Sequence, residues 1–524
     1  MTTAWWRRSW VSAVLLAGVL GAGYLLAPRM GSDLSAQVAR AAFFADHGLT
    51  PVDLRWYGGV HQFGYSLVSQ PVMALLGVRV TGALALVAAA VALAHLLHRT
   101  GAPRPLLGTV VGTVCIAANL VSGRVTYGLG VAFGLAALLA LTVRHPTLRL
   151  VLAAGAGLLA SATSPVAGLF VGLAGVALIA SRRAVDGFVL GVAAALPLTV
   201  TAGLFGDGGW MNISRTDATR AVVLSLVVAA LVRARPVRAG ALLSAAGVLA
   251  AALLHTPVGL NATRLSVMFA LPVLAAWATV PALPATMGAL RRGPGWAWLA
   301  ALLVLACVWQ PPVSVSDVRD IGDPTTDPAY FAPLRDRLAA GPLTGRVEIP
   351  PTRDYWEAAY LGDVPLARGW LRQADIDRNP LFFTTVPGAP GTGVALTPDS
   401  YRMWLAEQAV QYVAVPDAQL SWVGRAEARM IADGLPYLTP VWSDADWRLY
   451  AVADPVPVVS APATLVSQTA AALTVDSPVA GDVSVRVRFS RWLTTTGGAQ
   501  VRRDGDWTVL RVPAPGRFTL TSAL

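Results

Sequence analysis

Eleven apolar segments in the first 312 residues constrain this chain more than any other feature. A membrane-spanning helix needs about 20 mostly apolar residues, and about 17 are enough. Apolar segments follow one another from residue 10 to residue 311, at approximately 10–27, 80–97, 106–122, 126–143, 150–163, 165–181, 187–205, 220–233, 239–255, 265–284 and 295–311. Most reach this length, and the shortest are 150–163 and 220–233. The pattern predicts a polytopic α-helical membrane domain of about 11 spans over residues 1–312.

The charges are distributed as a membrane protein requires. Residues 1–312 contain 21 Arg, six Asp and no Glu, a net charge of +15. Residues 313–524 contain 19 Arg and 23 acidic residues, a net charge of −4. The basic excess therefore lies between apolar segments, where it indicates membrane topology. It gives no reason to expect a nucleic-acid partner.

Arginine placement predicts the orientation. If the N-terminus is cytoplasmic, each inner segment carries at least two Arg, as the positive-inside rule expects. These residues are Arg7, Arg8, Arg99, Arg104, Arg144, Arg149, Arg182, Arg183, Arg233, Arg235, Arg238, Arg291 and Arg292. Five of the six Asp fall in outer loops. We interpret the first apolar segment as an uncleaved span rather than a secretory signal. An odd number of spans then places the C-terminal half outside a bacterial plasma membrane.

The composition changes after Pro312 to that of a soluble protein. Residues 313–328 read as a linker, and residues 329–454 alternate helix and strand signals, which predicts an extracytoplasmic α/β unit. Residues 455–524 show only strands and turns. Val483, Val485 and Val487 alternate with polar residues. Six short strands there predict a β-sandwich with the outline of a carbohydrate-binding module. We expect the eight Trp of the outer half to pack in cores rather than to stack on sugars.

The first outer loop, residues 28–79, contains the leading candidate for a site. A helical face of Leu34, Val38, Ala41 and Ala42 favours a helix lying in the membrane interface, and 65–76 reads as an interfacial or re-entrant segment. Asp33 follows the first span almost at once. A carboxylate at the membrane surface, tuned by desolvation and nearby Arg, can act as a general base.

Two further acids, Asp46 and Asp53, lie along the same loop. The alternative for all three acids is a solvated loop carboxylate or a helix cap.

The order of a first span, an acidic residue, a long loop, many spans and an outer domain resembles the GT-C superfamily of membrane glycosyltransferases. The stretches GSDLSAQVARAAFF, WYGGVHQFGYSL, ARGWLRQADIDRNPLFF and VRVRFSRWLTTTGGAQVRR resemble actinobacterial proteins of this type. The resemblance implies inverting transfer from a polyprenyl-phosphate sugar to a cell-envelope polysaccharide or glycolipid acceptor. It implies Asp33 as the catalytic base. Many members have two adjacent acidic residues, whereas here Asp33 stands beside Ser32.

The departing lipid phosphate needs a cation, and Arg suits it because its guanidinium can bind phosphate through two nitrogens. Arg264 begins the tenth predicted span at its outer end, close to Asn261, and a snorkelling role is its alternative. The other candidate substrate-binding residues lie in the first loop: Arg40, Arg55, His61, Asp46 and Asp53. We assign no metal ligand and no certain cofactor, and a divalent cation is left open.

Two other functions fit parts of the sequence. A non-catalytic glycan-binding or scaffold membrane protein would suit the single Asp33 and the sandwich-like tail. A transporter or lipid flippase would suit the number of spans, but such proteins place charged residues in mid-membrane and often have matched halves. The spans here contain almost no acids at mid-span, and the sequence shows no internal repeat.

Overall fold

The computed structural model describes residues 3–279 and 295–524, with side chains from residue 9 onward. In its N-terminal part the helices and two short strands are α1 Thr3–Leu26, α2 Leu34–His47, β1 Val52–Asp53, β2 Val60–His61, α3 Ser69–Leu76, α4 Val78–Arg99, α5 Pro105–Val121, α6 Val125–Ala140, α7 Pro146–Thr163, α8 Pro165–Ala180, α9 Ala184–Phe205, α10 Arg215–Leu231, α11 Arg235–Leu253, α12 Arg264–Trp277 and α13 Gly295–Trp309. The protein is a helical membrane protein with a C-terminal sheet region.

A helix lies at each of the eleven predicted spans. Six described helices are long and apolar enough to cross a membrane, namely α1, α4, α7, α9, α11, and α12 together with the turn before it. Helices α5, α6, α8 and α13 are apolar but shorter, and α10 begins with the polar sequence Arg-Thr-Asp. The count of eleven spans therefore stays a prediction. The predicted positions 280–284, Arg291 and Arg292 lie outside the described residues.

The C-terminal region continues with α14 Val315–Arg319, α15 Ala332–Ala339, β3 Arg346–Glu348, α16 Glu357–Tyr360, α17 Arg372–Arg378, α18 Pro398–Glu407, β4 Val410–Pro416, α19 Arg425–Ala432, β5 Leu438–Ser443, β6 Trp447–Val452, β7 Thr464–Gln468, β8 Leu473–Ser477, β9 Gly481–Arg488, β10 Leu493–Thr495, β11 Gln500–Asp504, β12 Trp507–Val512 and β13 Gly516–Ser522. A mixed sheet has the order β3-β4-β6-β5. Leu366 adds isolated parallel bridges to Trp56 and to Val347 of β3.

Seven strands, rather than the six expected, follow residue 460 in the described chain. They form sheets of order β10-β13-β8-β7 and β11-β12-β9. The two sheets share one apolar core, to which β9 contributes Val483, Val485 and Val487, as their alternation predicts. Residues 313–328, expected to be a linker, carry α14 and a short 3-10 turn, and Asp317 there is buried.

Helix α2 differs from the sequence expectation. It does not lie with an apolar face in the membrane interface, because Leu34, Gln37 and Arg40 are all buried while Ala42 is exposed. Gln37 is satisfied in the interior by Thr126, whose hydroxyl donates to it at 2.6 Å. The C-terminal region covers the helix from the other side, where the Ser35 hydroxyl donates to the Asp354 carbonyl at 2.6 Å. Helix α2 is thus an internal layer between the membrane helices and the sheet region.

The sheet region encloses a cluster of buried charges around Arg368. Its guanidinium bonds Asp375 at 2.9 and 3.1 Å and Glu427 at 3.2 Å, and lies 3.5 Å from Glu348. Burial, followed by the charge of Glu427, raises the pKa of Glu348 well above its ordinary value. Burial also raises the pKa of Glu427 to about 7, against the opposing effect of Arg368.

Stability should increase as the pH falls from 8 to 6. Burial raises the pKa of Glu357, like that of Glu427, to about 7, so the folded state binds more protons than the unfolded chain between about pH 4.5 and pH 7. Stability then falls as the pH rises through this window. We expect the apparent melting temperature, measured by tryptophan fluorescence, to be higher at pH 6 than at pH 8. Glu357→Gln should weaken this dependence and Glu407→Gln, at an exposed position, should not; an equal pH dependence in both variants contradicts the assignment.

Candidate functional site

A cavity of about 1020 Å³ lies between the C-terminal region and the ends of the membrane helices that face it. Its volume is at the upper end of the usual range for ligand sites, about 300–1,000 Å³. One wall comes from the first loop and from α5, α6 and α12, and contains Asp33, Arg124 and Arg264. The opposite wall comes from the loops and helix starts that follow β3 and β4. Residues from distant parts of the chain therefore face one another across a single space.

Two glycines allow the loop with Asp33 to approach the turn with Arg124. Gly31 has φ 101°, and a Cβ there would lie 2.4 Å from the Ser122 carbonyl carbon. Gly123 has φ 74°, and a Cβ there would lie 2.5 Å from the Leu34 amide nitrogen. Only glycine adopts this conformation without strain and leaves room for such contact. The Asp33 amide then donates to the Ser122 carbonyl at 3.2 Å, which fixes the start of α2.

Asp33 forms ion pairs with two arginines. Its Oδ2 lies 3.3 Å from Nε of Arg124 and 3.1 Å from an Nη of Arg264. Although Asp33 occupies the N-cap position of α2, its side chain makes no capping hydrogen bond. The Arg264 guanidinium also lies 5.3 Å from the centre of the Tyr127 ring. Arg264 thus points into the cavity instead of snorkelling, and the three side chains carry a net positive charge that suits a phosphate.

Tyr65 lines the cavity beside this cluster. Its hydroxyl accepts a hydrogen bond from the Gln37 amide at 3.1 Å, and burial raises its pKa. Arg40 lies behind it, with its guanidinium 4.4 Å from the Tyr65 ring centre. Burial lowers the pKa of Arg40, whose Nε and one Nη have no hydrogen-bond partner among the described residues. Arg40 therefore adds positive potential beneath the cavity without lining it.

The C-terminal region closes the cavity by direct contacts with the first loop. The Trp370 indole donates to the Ser32 carbonyl at 3.1 Å, and the Ser32 amide donates to Asp317 at 3.3 Å. Asp354 follows β3 and lines the same space. Burial, followed by the charges of Asp317, Asp320 and Asp323, raises its pKa to about 7. A carboxyl group that titrates near neutral pH thus lies in the cavity.

An apolar pocket of about 310 Å³ adjoins the cavity at Tyr127, which lines both. It runs between the membrane helices from the start of α12 to the start of α11. Its lining is almost entirely apolar, with Leu93, Leu135, Phe170, Phe269 and Trp277 among its members. A polar, cationic cavity therefore adjoins an apolar pocket, an arrangement that fits an amphipathic ligand with an anionic head.

The structure brings together three of the residues selected from sequence: Asp33, Arg264 and Asn261 all line the cavity. Arg55 and Asp53 do not line it. They form a buried ion pair at 2.7 Å and serve the packing of the first loop.

The remaining first-loop candidates also lie outside the cavity lining. His61 lies 3.1 Å from Asp207 and 2.9 Å from the Ser490 hydroxyl, so that it links three segments of the chain. Asp46 is exposed on α2.

Sequence reasoning missed Arg124, Tyr65, Trp370 and Asp354. A signal for Arg124 was present, because glycines stand close to both partners, at Gly31 before Asp33 and at Gly123 before Arg124. No local signal connected the other residues to the site, since they reach it through contacts between distant parts of the chain. In residues 3–279 and 295–524 there is no group of three His, Cys, Asp or Glu that could hold a metal ion.

No family model matches this chain, and no curated protein sequence does. Among solved structures, the chain is similar to the mycobacterial arabinofuranosyltransferase AftD. That alignment covers 99% of this chain and 57% of AftD, at 16% identity and a TM-score of 0.46. A second AftD structure, of a variant, matches at 14% identity and a TM-score of 0.46, over 100% of this chain and 60% of the other.

ArnT from Cupriavidus metallidurans in the apo state matches 86% of this chain over 98% of its own length, at 14% identity and a TM-score of 0.43. The chain spans less than two thirds of the AftD structures it matches. Similarity at this level identifies neither a substrate nor a reaction for this chain.

Proposed function

We propose that this protein is a glycosyltransferase of the GT-C type, which transfers a sugar from a polyprenyl phosphate to a cell-envelope glycan or lipid acceptor with inversion. The observation that carries the proposal is the position of Asp33, Arg124 and Arg264 at the junction of a polar cavity and an apolar pocket. One ligand of such a site needs a phosphate for the arginines and a hydrocarbon tail for the pocket. A polyprenyl phosphate has both.

In the proposed reaction, Asp33 accepts the proton of the acceptor hydroxyl as its oxygen attacks the anomeric carbon. The bond from that carbon to the lipid phosphate breaks, and the phosphate leaves with the bonding electrons. Arg124 and Arg264 stabilise the charge that grows on it, as preorganised cations do in a site that excludes water. Asn261, in the 3-10 turn that precedes α12, also lines the cavity and can orient the sugar.

The ion pairs of Asp33 suggest an order of events. Both arginines hold the same oxygen of Asp33, and a carboxylate engaged in this way is a poor base. An arriving phosphate competes for the same guanidinium groups. Donor binding therefore loosens Asp33 and makes it available to the acceptor, so that the base is active only when the leaving group is in place.

The membrane orientation belongs to the same proposal. The N-terminus is cytoplasmic and the C-terminal region is outside the bacterial plasma membrane, because the inner loops carry paired arginines. The cavity then opens at the outer face, where lipid-linked sugars and envelope acceptors meet.

Arg264→Gln should weaken binding of undecaprenyl phosphate to the full chain in nanodiscs. A charge-assisted hydrogen bond is worth about 1.5–3 kcal/mol, so that the dissociation constant should rise at least about tenfold. Arg124→Gln should act in the same direction. Arg215→Gln is the matched control, since Arg215 is an exposed arginine at the start of α10 that does not line the cavity. Native mass spectrometry measures the lipid bound; equal binding by all three variants contradicts the proposed donor site.

A further inference from the structure

We propose that the cavity wall formed by the loops and helix starts that follow β3 and β4, here called the outer wall, binds an acidic acceptor glycan. Arg372 and Arg425 hold the negative charge of this glycan. This inference rests on the proposed function, because it names the class of acceptor for the same site. It adds a second anion-binding position, separate from the arginines that face the donor phosphate. The argument depends on charge balance, on the aromatic side chains of this wall and on the space that remains.

The cavity lining carries more positive than negative charge. Its charged residues are Arg124, Arg220, Arg264, Arg353, Arg372, Arg425, Asp33, Asp217, Asp320 and Asp354. Asp33 is held by Arg124 and Arg264, and Asp320 pairs with Arg353 at 2.8 Å. No acidic group in the described part of the chain lies within ion-pair distance of Arg372 or Arg425. These two arginines are therefore available to a ligand.

Arg372 and Arg425 lie beside an aromatic surface. The guanidinium of Arg372 is 5.2 Å from the ring centre of Trp422, which keeps the side chain against the wall. Arg425 begins α19, and its Nε donates to the Leu420 carbonyl at 3.3 Å. Trp370 lines the same wall two residues before Arg372. Half-buried indole faces next to fixed cations suit a sugar ring that carries an acidic group, because the ring stacks while the charge is paired.

The donor cannot account for this wall. Its phosphate is held by Arg124 and Arg264, and its tail follows the apolar pocket away from the C-terminal region. A cavity of about 1020 Å³ leaves space for a second ligand opposite the donor sugar. The acidic group could be a uronic acid carboxylate or a sugar phosphate, since both offer oxygens to a guanidinium.

The experiment compares pairs of trisaccharides that differ only in charge, using the full chain in nanodiscs. Trigalacturonate against galactotriose tests a carboxylate, and phosphorylated maltotriose against maltotriose tests a phosphate. Isothermal titration should show that at least one acidic member binds about tenfold more tightly than its neutral counterpart. The member with the larger ratio identifies the acidic group.

The variants separate this inference from the proposed function. The double variant Arg372→Gln/Arg425→Gln should remove most of the preference for the acidic trisaccharide while binding of undecaprenyl phosphate is unchanged. Arg264→Gln should weaken binding of undecaprenyl phosphate and keep the preference for the acidic trisaccharide. The inference is overturned if acidic trisaccharides bind no more tightly than neutral ones, or if their binding is lost in Arg264→Gln and kept in the double variant. Failure of Arg264→Gln to weaken lipid binding overturns the donor site instead.

Discussion

Asp33→Asn should reduce glycosyl transfer by about 10²–10⁴-fold, the range in which a positioned general base contributes. The amide keeps the size of the side chain and can still accept a hydrogen bond from Arg124 or Arg264, but it cannot take a proton from the acceptor. The variant should therefore insert into the membrane and fold. In cells that carry only this variant, the envelope glycan should match that of cells without the protein.

Binding of the lipid separates a base from a residue that merely holds the arginines in place. If Asp33 competes with phosphate for the two guanidinium groups, Asp33→Asn should bind undecaprenyl phosphate at least as tightly as the native chain. A purely structural Asp33 would lose lipid binding and transfer together. The two measurements on one variant thus distinguish these roles.

Asp336→Asn provides the control for the loss of a carboxylate. Its side chain is 78% exposed on α15 and does not line the cavity, and its contact with Arg335 is a loose one at 4.0 Å. Envelope glycan should be unchanged in that variant. Normal glycan in cells with Asp33→Asn at native protein levels would exclude Asp33 as the base and would favour a glycan-binding scaffold.

The scarcity of acids made Asp33 predictable, whereas its surroundings were not. With six Asp and no Glu in 312 residues, few carboxylates could serve as a base. Arg264 could also be selected from the sequence, because a charged residue at the end of an apolar segment is easily recognised. In the sequence, Arg124 looks like an ordinary loop arginine. The structure shows that Gly31 and Gly123 allow close backbone contact between the turn before Asp33 and the turn before Arg124. Contacts between segments of this kind leave little trace in local sequence.

The apolar helices followed from the length of the apolar segments and the inward face of β9 from its alternation, but the burial of α2 followed from neither. An apolar stripe and the polar residues Gln37 and Arg40 suggested a helix with one face in the lipid interface. The structure instead gives Gln37 polar partners inside the protein, at Thr126 and Tyr65. A helix covered on both sides can bury polar groups when their hydrogen bonds are met. The covering region begins some 300 residues later, beyond the reach of a local pattern.

Arg368→Leu should destabilise the C-terminal region by about 3–5 kcal/mol, the usual cost of removing one partner from a buried ion pair. The Arg368 side chain is 2% exposed. Within the described residues it is the one cation in ion-pair contact with Glu348, Asp375 and Glu427. Leucine fills much of the volume but leaves three carboxylates without a counter-charge. The apparent melting temperature and the yield of folded protein should both fall.

The pH dependence of this loss tests its electrostatic cause. Protonation of Glu348 and Glu427 removes the uncompensated charge, so the destabilisation should be smaller at pH 6 than at pH 8. Arg335→Leu, on the exposed surface of α15, should cost less than about 1 kcal/mol at both values. A loss in Arg368→Leu that is equal at the two pH values would instead indicate a packing defect. Trp370 and Arg372 follow Arg368 closely in the chain, so Arg368→Leu should also loosen the outer wall of the cavity. Acceptor binding should therefore be weakened more at pH 8 than at pH 6.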